Sequence, residues 1–82
     1  MKTLEIAVEN LKARSIPLCA NAIGKRKTMR LDKKNSVSGI IVEAEFYRAR
    51  VRGASVAAQF KIVMESGPNK VRREFICEIL PS

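Results

Sequence analysis

The strongest constraint on the fold is an alternation of apolar and polar residues that runs from Val37 almost to the end of the chain. Ile40, Val42, Ala44 and Phe46 alternate with Ile41, Glu43 and Glu45, which is the period of a strand with one buried face. After Phe46 the parity flips. Ala49 and Val51 now carry the apolar positions, and Arg48, Arg50 and Arg52 fall on the other face. One extra residue at about Tyr47 explains the flip, and a bulge there would bend the strand. Residues 52–54 (Arg52, Gly53, Ala54) read as a tight turn. Val56, Ala58, Phe60, Ile62 and Met64 form the next alternating strand, and residues 66–70 carry a strong turn signal around Gly67 and Pro68. Val71, Phe75, Cys77 and Ile79 make the last inward face, and Pro81 ends the pairing. The pattern predicts an antiparallel meander of at least three strands.

Ahead of it, residues 3–14 read as an amphipathic helix with Leu4, Ala7, Val8 and Leu11 at helical spacing. Thr3 is placed to cap it, Glu5 suits its first turn, and Lys12 and Arg14 suit its last. Pro17 then biases Ile16 away from helical geometry. Residues 16–35 admit two readings. Residues 15–17 can open a second short helix that runs through Ile23 and stops at Gly24. Alternatively, Ile16 to Ile23 is a strand and Lys25 to Leu31 its partner. Residues 32–35 are a turn in either case. The fold expected is α+β: one domain over residues 1–82, with an N-terminal helix packed on a strongly bent antiparallel meander or small barrel.

Charge bounds the function. Sixteen Lys and Arg against eight Asp and Glu, with no His, give a net charge of +8 on 82 residues. The excess is clustered. Eight basic residues lie between Lys12 and Lys34, among them Lys25, Arg26, Lys27, Arg30, Lys33 and Lys34, with Asp32 the one acid. Arg48, Arg50 and Arg52 make a second cluster, and Lys70, Arg72 and Arg73 a third. A surface of this kind repels itself until a polyanion neutralises it, and each phosphate contact releases condensed counterions. Nucleic acid, RNA or DNA, is therefore the leading partner, held mainly through phosphates. The arginines at every second position project from one strand face about 7 Å apart. Tyr47 is the one aromatic residue suited to stacking on a base, since Phe46, Phe60 and Phe75 fit the inward face.

Catalysis finds little support. There is no His, no nucleophile paired with a base and no phosphate-binding glycine loop, so the chain is not expected to be an enzyme. Glu43 and Glu45 share a strand face, but a solvated strand face or cross-strand pairing with arginine accounts for them. A toxin-like nuclease built on Tyr47, Arg48 and Arg50 is a third option, resting only on fixed cations facing a phosphorane. Cys19 and Cys77 are 58 residues apart in sequence, without a CxxC pair. They read as small buried hydrophobes rather than zinc ligands or a disulfide. No metal or cofactor is expected. No run of 18 apolar residues occurs, and Glu5 and Glu9 stand where a signal peptide would be apolar. A cytoplasmic protein without membrane contact is expected.

Three segments resemble the Sm-like RNA chaperone (Hfq) family. Residues 8–18, with Val8, Leu11, Ile16, Pro17 and Leu18, look like that family's helix and its Val-Pro-Val entry into the first strand. Residues 75–82 (Phe75 to Ser82) are similar to the end of its fourth strand and its short fifth strand. Residues 59–64 (Gln59 to Met64) look like its third strand. The resemblance implies a helix followed by five strongly bent strands and an RNA-chaperone role. The family's Tyr-Lys-His segment is here Arg72, Arg73 and Glu74. A dozen or so extra residues fall around Cys19 to Lys27 and Tyr47 to Ala58. The uridine-binding residues therefore do not carry over, and only Arg73 occupies a comparable basic position. Two other readings compete. One is a phage- or plasmid-type protein-interaction module or inhibitor. The other is a helix-turn-helix DNA-binding regulator, drawn from the Ala20-to-Gly24 spacing, with Lys25 to Lys34 as recognition helix. An exposed sheet edge would favour homo-oligomers.

Overall fold

In a computed structural model the described residues are 2–81, with side chains from Leu4 onward. Helix α1 spans Lys2–Ala22, and strands β1 (Arg26–Arg30), β2 (Ser36–Arg52), β3 (Ser55–Ser66) and β4 (Val71–Cys77) follow. They form one antiparallel sheet in the order β1-β2-β3-β4, so the α+β meander is as expected. It does not close into a barrel.

The helix is longer than its sequence pattern implies. It continues through Pro17, so Lys12 and Arg14 sit mid-helix rather than in a last turn, and residues 16–23 hold no strand. Proline in a helix interior leaves the carbonyl four residues back without its donor, at a cost of about 3 kcal/mol. Packing outweighs that cost. Val8, Leu11, Ser15, Cys19 and Ala22 recur at three- and four-residue steps on both sides of Pro17, and Ser15, Cys19 and Ala22 are buried. The buried Ser15 hydroxyl donates to the Leu11 carbonyl at 2.7 Å, so no polar atom is stranded there. Gly24 stops the helix with φ +90°. Its N–H donates to the Ile41 carbonyl at 2.7 Å, tying the helix exit to β2. The Thr3 cap falls outside the described side chains, as does Ser82.

Lys25 to Lys34 is not a recognition helix. It holds β1 and a turn in which both Asp32 carboxylate oxygens accept hydrogen bonds, from the Lys34 and Asn35 N–H groups and the Asn35 amide. The Asn35 amide, then these two N–H groups, hold the exposed Asp32 carboxyl below its ordinary range. The described residues contain one helix, which removes the helix-turn-helix architecture.

The core lies between α1 and one face of the sheet. Ile41, Ile62, Met64 and Phe60 come from the strands, Cys19 and Ala22 from the helix, with Ala44, Phe75 and Cys77 packed against them. Each large side chain fully buried there contributes about 1.5–3 kcal/mol. The register of β2 on β3 skips one residue between Phe46 and Arg48, which places the bulge at Tyr47 as expected. A second irregularity lies between Ile41 and Glu43. It corrects the parity at the start of the strand: Ile41 is fully buried, whereas Ile40 is 36% exposed. Adjacent β-branched residues hide such a shift, because either fits the inward face. The sheet ends at Cys77, so Ile79 is not inward but 77% exposed. The short fifth strand implied by the family resemblance is not formed over residues 78–81.

Candidate nucleic-acid interface

Strands β2 and β3 outrun their neighbours. β1 pairs only with residues 36–40 of β2, and β4 reaches no further along β3 than Phe60. Residues 48–59 therefore form a two-stranded arm, closed by a tight turn at Gly53 with φ +58°. The arm lengthens the molecule to 48 Å along its longest axis, and the radius of gyration is 14.2 Å. A compact chain of this length has a radius of about 12 Å.

The arm carries Arg48, Arg50 and Arg52 on the sheet face turned away from α1. Ala49, Val51, Val56 and Ala58 take the opposite face by strand alternation. The bulge does more than bend the strand. Successive side chains on a regular strand point to opposite faces, yet Tyr47 and Arg48 are both exposed, and the Arg48 guanidinium lies 5.5 Å from the Tyr47 ring centroid. The extra residue has brought the two onto one side. Arg48 Nε donates to Gln59 Oε1 at 2.6 Å. Gln59 is a polar residue only 7% exposed, so that oxygen is a fixed anchor. Further out, the Glu78 carboxylate lies 3.9 Å from Arg50 Nη1 and 3.4 Å from Arg52 Nη2. It lies between two cations that a phosphate could also bridge. These pairs are exposed and contribute little to stability.

The other predicted contacts do not join this row. Register puts the turn that holds Lys33 and Lys34 at the far end of the sheet, together with the Lys70 turn. Arg30 is drawn into its own turn, where Nε and Nη2 donate to the Asp32 and Lys33 carbonyls at 3.2 Å. Lys70 takes φ +52°, and its backbone N–H donates to the Gly67 carbonyl at 3.1 Å. Arg72 pairs with Glu65 at 3.2 Å, while Arg73 stands opposite Met64 and is exposed. Arg26 is exposed on β1 and Lys25 precedes it. Lys27 lies on the helix side and donates to the Ile79 carbonyl at 2.9 Å, so it holds the chain end in place. Between the two basic ends the open face bears Glu43, Glu45, Glu65 and Glu74, with Lys61 bound to Glu74 at 3.3 Å. The basic residues thus form two separated ends rather than one continuous face.

Two features escape sequence reasoning. Gln59 has an ordinary polar identity, and only its cross-strand pairing with Arg48 reveals its role. A groove of about 450 Å³ between α1 and β2 is lined by Ile16, Ile23, Ala44 and Phe46 together with Lys12 and Glu45. The cysteines are free thiols, Cys19 buried and Cys77 half-buried. Burial pushes both thiols up; for Cys19 the nearby Cys77 and Glu45 add to this, and for Cys77 Lys27 opposes it. Among the described residues no helix is long and apolar enough to cross a membrane, and no three acidic, cysteine or histidine side chains converge as metal ligands. No family model, curated protein or solved structure compared with this chain matches it.

Proposed function

We propose that this protein is a small nucleic-acid-binding module, not an enzyme, and that it grips phosphates with its arginine-bearing arm. The observation that carries the reading is the row Arg48, Arg50 and Arg52 on one face of a projecting two-stranded arm. Its side chains recur about every 7 Å, comparable with the spacing of phosphates along an extended strand. Glu78 pairs with Arg50 and Arg52, but these pairs are exposed and weak, so a phosphate can displace the carboxylate. The far basic end, with Lys33, Lys34, Lys70 and Arg73, supplies a second, weaker phosphate contact. A regulatory or RNA-chaperone role in the cytoplasm, with self-association through the open sheet edge, belongs to this proposal.

The test is a titration of labelled oligonucleotides at about 50 and 200 mM salt, where phosphate binders lose affinity steeply. Replacing Arg50 and Arg52 together by Gln removes two contacts and flattens the log–log salt slope by about 1.4–1.8. An unchanged slope and affinity would refute the arm as the interface. The groove lined by Ile16, Ile23 and Phe46 favours a second reading, a protein-interaction module. That reading predicts a tight one-to-one protein complex and only weak, form-independent binding to nucleic acid.

A further inference from the structure

We infer that the ligand is a single strand, and that one unpaired base stacks on Tyr47 while Arg48 grips the strand beside it. The inference rests on the nucleic-acid reading above and narrows it.

Three observations converge on the base of the arm. The bulge puts Tyr47 and Arg48 on one side, with the Tyr47 residue 50% exposed. The guanidinium near its ring already forms a cation–π pair, an arrangement that also accepts a base plane. The buried Gln59 oxygen takes Arg48 Nε at 2.6 Å, which fixes the guanidinium plane and leaves its Nη groups for a phosphate or a base edge. Gln59 is thus a positioning residue for Arg48. Beyond this platform, Arg50 and Arg52 continue outward in the direction a strand would run.

A duplex cannot use the platform, because its bases are stacked on each other and show only their edges in the grooves. A two-stranded ribbon can enter a major groove, but that mode needs long side chains projecting to base edges. Here Arg50 and Arg52 turn aside to the same carboxylate, Glu78. They are placed for backbone contact rather than for reading bases.

The sequence provides its own probe. Tyr47 is the one tyrosine and the chain has no tryptophan, so intrinsic tyrosine emission reports on this ring alone. The experiment titrates the full chain with unlabelled single-stranded DNA, single-stranded RNA and the matching duplexes, reading tyrosine emission. Anisotropy with labelled strands gives affinities in parallel. Emission should be quenched by single strands and not by duplexes, and single strands should bind at least about tenfold tighter. Tyr47→Ala should weaken single-strand binding roughly five- to hundredfold, leave duplex binding unchanged, and be rescued by Tyr47→Phe. A DNA or RNA preference names the source, and either supports the inference. Unquenched emission at saturation, or equal affinity for duplex, overturns it. In that outcome, binding that still falls with salt and with the Arg50 and Arg52 replacement keeps the phosphate reading intact. No binding to any strand overturns both.

Discussion

Gly39 offers the sharpest test of the fold that places the arm. It is buried in β2, opposite Lys27 of β1, close under the end of β3. A Cβ added there would lie 2.7 Å from the Glu65 carbonyl oxygen and 3.2 Å from both the Glu65 carbonyl carbon and Ser66 Cβ. The nearest atom is backbone, so no rotamer change relieves the contact. Either β2 or β3 must move by several tenths of an ångström, against the β2–β3 ladder. Forcing a methyl group into a packed site of this kind costs about 1–3 kcal/mol. Each kcal/mol lowers the melting temperature of a chain this size by about 4–8 °C. Gly39→Ala should therefore melt roughly 8–16 °C below the parent for a cost near 2 kcal/mol. Thermal unfolding followed by circular dichroism measures this directly. A melting temperature within about 2 °C of the parent would mean that β3 does not pass so close to β2, and the register of the sheet would need revision.

Two further outcomes follow from the same structure. Pro17→Ala restores a donor for the Ala13 carbonyl and should stabilise the protein by about 2 kcal/mol, from the roughly 3 kcal/mol propensity gain less the entropy returned to the unfolded chain; a fall in the urea midpoint would show that helix α1 breaks at the proline. Burial raises both thiols in the folded state, so their contribution to stability is present below the unfolded thiol value, about 8.5, and is lost as pH rises through the folded values. The urea midpoint of the parent should fall between pH 7 and 9.5 more steeply than that of a Cys19→Ala, Cys77→Ala double variant, and equal slopes would contradict the burial.

Alternation is legible where each strand has one wet face. That is why the β2 bulge at Tyr47, the β3 strand and both later turns can be read from residues 46–70. It fails where both neighbours are apolar, as at Ile40 and Ile41. It also fails where local preference and packing disagree, as at Pro17. The rule that proline ends a helix is a statement about isolated backbone. It gives no weight to Cys19 and Ala22, whose burial against Ile41 and Ile62 lies beyond the proline. Charge clustering identifies cations but not their tasks. Lys27 and Arg30 look like phosphate contacts in sequence, yet both donate to backbone carbonyls.

The residues alone determine the period of the strands, the bulge, the turns at Gly53 and Gly67, and the excess of positive charge, because these depend on neighbours within a few positions. Only the tertiary structure decides that the sheet stays open, that the Arg48 row stands on an arm with which no third strand pairs, and that Gln59 and Glu78 brace it. Those depend on strand lengths and on pairs 11 and 26 residues apart in sequence, which no local pattern encodes.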